Sequence, residues 1–176
     1  LVGYIGVSNM GNINVGMSEM YDENLLPITT LFEIQKNLLL NRGEMLEMIY
    51  GDETQLQDHI SNINIISEAN DKLAQDYAKS TLSIKEGQLY SNHQENIEQF
   101  RTLRDEVIKH LKAGKRDEAL EVFPMDVLAR EKTEDNIEKL IDLNKEMANE
   151  ANSRADLLFS DSIKFMISLT LIAFIL

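Results

Sequence analysis

Residues 31–51 read LFEIQKNLLLNRGEMLEMIYG. Apolar side chains recur in this stretch at Leu31, Ile34, Leu38, Met45 and Met48, in steps of three and four, with Asn41 filling the gap in the series. That period belongs to one face of an α-helix, and so regular a stripe belongs to a seam packed against other helices. The helix is expected to extend back to the apolar start of the chain. Pro27 lies in its first third and either kinks or restarts it, because proline lacks a backbone donor and clashes with the preceding turn.

Outward from this stretch the pattern repeats. Gly51 suits the left-handed position after a helix, and Asp52 can cap the next one with Gln55 three residues on. A second helix is expected to about Lys79, its stripe made by Leu56, Ile60, Ile63, Ile66, Leu73 and Tyr77, with Asn70 interrupting. Ser83-Ile84-Lys85-Glu86 has the capping-box pattern and opens a third, with Leu89, Ile97, Phe100, Leu103, Val107 and Leu111 inward. Gly114 closes it. The fourth starts near Arg116, meets Pro124 early, and continues through Ile137, Leu140, Ile141, Met147, Ala151, Ala155 and Leu158. Short connections between long helices make neighbours antiparallel, so the fold class is all-α, an up-down-up-down four-helix bundle. At 1.5 Å per residue it is roughly 40 Å tall. Residues 51–54 and 113–116 lie at one pole, and the 80–84 turn and both apolar ends at the other.

Charge is distributed unevenly along the 176 residues. There are 30 Asp and Glu against 17 Lys and Arg, a formal net charge of -13, which speaks against nucleic acid as a partner. Cysteine is absent, which removes disulfides, thiolate metal sites and a cysteine nucleophile. Residues 1–18 and 165–176 carry no charge at all. Neither reaches the ~18–20 apolar residues of a membrane span alone, and both are read as parts of two such spans. The expected organisation is the end of a first membrane helix with a juxtamembrane segment over 1–16, a bundle over 17–162, and the start of a second membrane helix over 163–176. Both termini would then engage a membrane.

The run Met20-Tyr21-Asp22-Glu23-Asn24-Leu25-Leu26-Pro27-Ile28, followed by Asn37-Leu38-Leu39-Leu40-Asn41-Arg42, resembles the first helix of the four-helix-bundle sensor domain of methyl-accepting chemotaxis proteins. Lys112-Ala113-Gly114-Lys115-Arg116-Asp117-Glu118-Ala119-Leu120 is similar to that family's turn into its fourth helix. The resemblance covers nearly the whole chain. It implies an extracytoplasmic receptor domain at the cell inner or plasma membrane, a homodimer formed mainly through the first helix, and a small solute or a solute-loaded binding protein as ligand. It also implies that the fourth helix shifts and carries the signal through the membrane. Similar modules precede histidine kinases and cyclases, which leaves the output open.

Polar residues on the apolar seams are the site candidates. Arg42 and Arg104 are each expected roughly 14–16 Å below the tip, at a level that Arg130 and Asp126 also reach. Guanidinium groups there can hold a carboxylate bidentately. The alternative is that Arg42 reaches solvent or pairs with Glu44, Glu47 or Asp126. Asn41 and Asn37 complete the ligand-binding set, although they, with Asn70 and Asn144, also suit the role of fixing helix register. Phe100 and Phe123 are candidates for a cavity wall or plain core.

His59, His93 and His110 are read as solvated or half-buried, and no metal-ligand spacing, phosphate loop or catalytic carboxylate pair stands out. No metal, cofactor or enzymatic activity is expected. A di-iron bundle would need inward Glu and Glu-x-x-His pairs, which the sequence lacks. A bundle that only dimerises and spaces the membrane from a partner is the other competing reading.

Overall fold

The computed structural model describes residues 2–80 and 82–175. Thr81, in the expected 80–84 turn, and the two terminal residues of the apolar ends lie outside the described residues. Every element among those described is helical: α1 (Val2–Met20), a π-helical turn (Tyr21–Leu25), α2 (Leu26–Tyr50), a 3-10 turn (Glu53–Gln55), α3 (Leu56–Ala78), α4 (Ile84–Lys112) and α5 (Arg116–Ile175). The chain divides into two compact units. One combines residues 1–28 with 144–176, and the other is Thr29–Leu143.

The second unit is the four-helix bundle. The seam expected on α2 is buried in full at Leu31, Ile34, Leu38, Asn41, Met45 and Met48. Short turns join each helix to the next. The 3-10 turn follows Asp52, whose side chain accepts from the Thr54 backbone N–H at 2.9 Å. Gln55 plays no reciprocal part in that cap. Gly51 is not left-handed either: the positive φ, 70°, belongs to Gly114. Gly51 is needed for closeness instead, because a Cβ there would lie 2.5 Å from the Glu47 carbonyl oxygen. The capping box at α4 forms as expected, with Glu86 N–H donating to Ser83 Oγ and Ser83 N–H to Glu86 Oε2, both at 3.2 Å.

The bundle core falls into two clusters. Nearer the tip, Met45, Met48, Ile49, Ile60, Ile63, Val107, Leu111 and Val122 pack together. Beyond them Leu31, Ile34, Leu38, Tyr77, Phe100, Ile137, Leu140 and Ile141 form a second. Along each helix a polar residue separates the two sets: Asn41 between Leu38 and Met45, Ser67 between Ile63 and Tyr77, Arg104 between Phe100 and Val107, and Asp126 between Val122 and Ala129.

The first unit contains α1, the π turn and the C-terminal part of α5. Pro27 does not restart the helix, since Leu26 before it keeps helical backbone angles. The wide turn precedes it, with the Leu26 N–H reaching back to the Tyr21 carbonyl. One extra residue in the turn gives room to the proline ring, and the donor that proline lacks falls next to an already irregular stretch. Tyr4, Val7, Met10, Val15 and Met17 of α1 are exposed, as are Phe165, Ile167, Leu171 and Ile172 of α5. No helix among the described residues is long and apolar enough to cross a membrane.

Candidate functional site

The polar layer of the bundle unit contains a cavity of about 200 Å³, lined by Arg42, Met45, Leu46, Phe100, Phe123, Asp126, Val127, Arg130 and Glu131. Three helices build it. α2 contributes Arg42 and Met45, α4 contributes Phe100, and α5 contributes Phe123, Asp126 and Arg130. These three α5 residues are three and four apart and so share one helix face.

Asp126 is the unusual member. It is only 2% exposed, and its Oδ1 has no hydrogen-bond partner. Burial pushes its carboxyl up from the ordinary 3.8 to about 6, while the nearby Arg104 and Arg130 charges work in the opposite direction. Neither guanidinium completes Asp126, because each is engaged elsewhere. Arg104 donates from Nε (3.1 Å) and Nη2 (2.9 Å) to Asp105 Oδ1, and from Nη1 to Ser67 Oγ at 2.9 Å. Its Cζ lies 5.9 Å from the centre of the Phe100 ring, a cation–π contact. Arg130 donates from Nη1 to Glu134, and its Nη2 is 4.0 Å from Glu131.

The five candidates from the sequence are distributed as follows. Arg104 and Arg130 are buried in the layer. Arg42 lies off the seam, which passes through Asn41 instead. It is exposed, borders the cavity, and pairs with none of Glu44, Glu47 and Asp126 among the described residues. Glu44 is taken by His59, 2.6 Å from its Nδ1, and by Asn62. Asn41 is buried with its Oδ1 unpartnered. Asn37 is half-buried and donates to Asn70 Oδ1 at 2.8 Å, which joins α2 to α3 and matches a register role. Phe100 and Phe123 both line the cavity.

Away from the cavity the structure adds two buried groups that sequence patterns did not mark. Glu86, read only as a cap, also accepts from Tyr77 Oη at 2.6 Å in the core. His93 is buried rather than solvated or half-buried, with Nδ1 unpartnered. Burial, then the Arg101 charge, lowers its pKa to about 4, against a hydrogen bond with the Thr133 backbone. His93 repeats the apolar stripe of α4 seven residues before Phe100, and that spacing was the available signal. Among the described residues no His, Asp and Glu cluster is able to hold a metal ion.

The chain belongs to the family of four helix bundle sensory modules for signal transduction, whose family profile matches residues 1–159. No curated protein matches it.

Proposed function

We propose that this sensory module is the ligand-sensing domain of a bacterial chemotaxis receptor, and that the cavity around Asp126 is where a small solute binds. The observation that carries this reading is the buried, unpartnered Oδ1 of Asp126 against a cavity of about 200 Å³. A buried ion with no donor is destabilising, and such a group is retained where a ligand completes it. The volume corresponds to roughly six or seven waters at about 30 Å³ each, which suits a compact metabolite. Arg42 and Arg130 both border the cavity.

The proposed receptor is a homodimer. Phe32 and Leu39 on α2 are exposed, seven residues apart, with Leu46 a further seven on. That is the spacing of a coiled-coil seam awaiting a second helix. The uncharged, exposed apolar residues near both ends support contact with a membrane, with the bundle on its extracytoplasmic side. A ligand that prefers one arrangement of α5 would shift that helix, and its 60-residue length would carry the displacement.

The test is a melting experiment on the chain with a panel of small acids, amines and neutral solutes. A bound solute raises the melting temperature by mass action. A shift that is lost in Phe123→Ala or in a cavity-filling Val127→Phe variant supports this site, and a shift that both variants retain removes it.

A further inference from the structure

We infer that the ligand seated on Asp126 is a small organic cation, a primary ammonium carrying an apolar body. The inference rests on the ligand-site reading above and gives that site a chemical class.

It follows from an imbalance in the polar layer. The buried guanidiniums are engaged, Arg104 on Asp105 and Ser67 and Arg130 on Glu134, and the other one at the cavity, Arg42, is exposed to solvent. Two acceptors are not engaged, since Asp126 Oδ1 and Asn41 Oδ1 are both buried without partners. A ligand in the cavity that completes Asp126 must bring N–H or O–H groups, whereas a carboxylate would bring further acceptors. The charged groups that line the cavity are Arg42, Asp126, Arg130 and Glu131, and of these Asp126 alone is buried with an unpartnered oxygen, so the group left to be completed is an anion. Around it Arg104 pairs with Asp105, Arg130 with Glu134, and Arg101 with Asp71 of α3.

The remaining wall fits an ammonium with an apolar body. Phe100 and Phe123 present aromatic rings, whose faces attract cations, and Met45 and Val127 add apolar surface. Phe100 already has a guanidinium on its ring, which shows that this ring accepts a cation. An ammonium–carboxylate hydrogen bond out of water is stronger than a neutral one, so it can replace the hydration that Asp126 lost on folding. The amine stays protonated across the neutral range, so affinity should follow the ionisation of Asp126 and fall as pH drops below about 6.

The experiment melts and titrates the whole chain with matched sets: isobutylammonium, isobutanol and isobutyrate, then benzylammonium, benzyl alcohol and benzoate. The expected result is binding by the ammonium members alone, weakened on acidification. Asp126→Asn keeps the shape and removes the charge. It is expected to lower ammonium affinity roughly 10–100-fold, with its helical content and cooperative melt retained as the check on folding. If the carboxylates or alcohols bind as well as the ammonium compounds, or better, the cation inference is overturned and the cavity remains a ligand site. If ammonium binding is undiminished in Asp126→Asn, the inference is overturned for this carboxylate. If no member of either set binds, and the wider panel is also silent, both the inference and the site reading fail.

Discussion

Replacing Asp126 with Asn should make this protein more stable, and by an amount that depends on pH. The carboxyl is raised from 3.8 to about 6, with burial as the first cause and Arg104 and Arg130 as opposing ones. For an acid raised on folding, the stabilising contribution is complete below its unfolded value and is lost as pH rises through its folded one. Ionised Asp126 therefore costs about 3 kcal/mol above neutrality compared with acid conditions. Asn has nearly the same shape and never ionises. Its advantage should approach that figure near pH 8 and vanish near pH 3.5, giving roughly 6–12 °C in melting temperature for a chain of this size. Thermal and urea melts followed by circular dichroism across this range would measure it. An Asn variant no more stable than its parent near pH 8, or a gap that does not close in acid, would refute the reasoning. That outcome would mean that Arg104 or Arg130 turns from Asp105 or Glu134 to satisfy Asp126 in solution.

Two further outcomes follow. His93, lowered from 6.5 to about 4, contributes stability that is complete above 6.5 and lost as pH falls through about 4, amounting to about 3 kcal/mol. His93→Gln should flatten the acid limb of the stability profile, and an unchanged limb would exclude His93 as its source. Leu39→Lys, placed on the exposed heptad face of α2, should convert a dimer to a monomer in sedimentation with helical content unchanged. A dimer that survives this change would move the contact off α2.

The bundle was legible because helix period, caps and turn residues all agreed. Leu31 to Met48 showed the buried face, and Ser83 with Glu86 showed a helix start that the structure reproduces atom for atom. The misreadings lay where two conformations share one sequence signature. Gly51 suits both a left-handed cap and a close backbone approach, and only geometry separates them. Pro27 marks a disturbance without saying whether the chain kinks, restarts or widens into a π turn. The candidate site was half legible. Arg104 and Arg130 drew notice as charges on apolar seams, yet the group left without a partner is Asp126. Its state depends on where the arginines point, and that is decided by Asp105, Ser67 and Glu134, none of which is part of the expected apolar stripes. Arg42 was assigned to the seam one residue out of place, because Asn41 interrupts the apolar series that sets the phase.

The same layer bears on why this bundle keeps polar groups in its core at all. An apolar replacement at Asn41 or Asp126 would join the two core clusters and stabilise the fold, since neither side chain is satisfied inside it. A more stable bundle, however, would have less to gain from a ligand. A solute can shift an equilibrium only by its difference in affinity between two states, and an unsatisfied acceptor is a large source of such a difference. Asp126 and its neighbour Arg130 lie on α5, the helix that leaves the bundle unit and runs to Ile175. Under the proposed function, the residue that gains most from the ligand is thus on the element that must respond to it. A stability defect of about 3 kcal/mol, relieved on binding, corresponds to a change in a two-state equilibrium of roughly two orders of magnitude, which is in the range of known allosteric couplings.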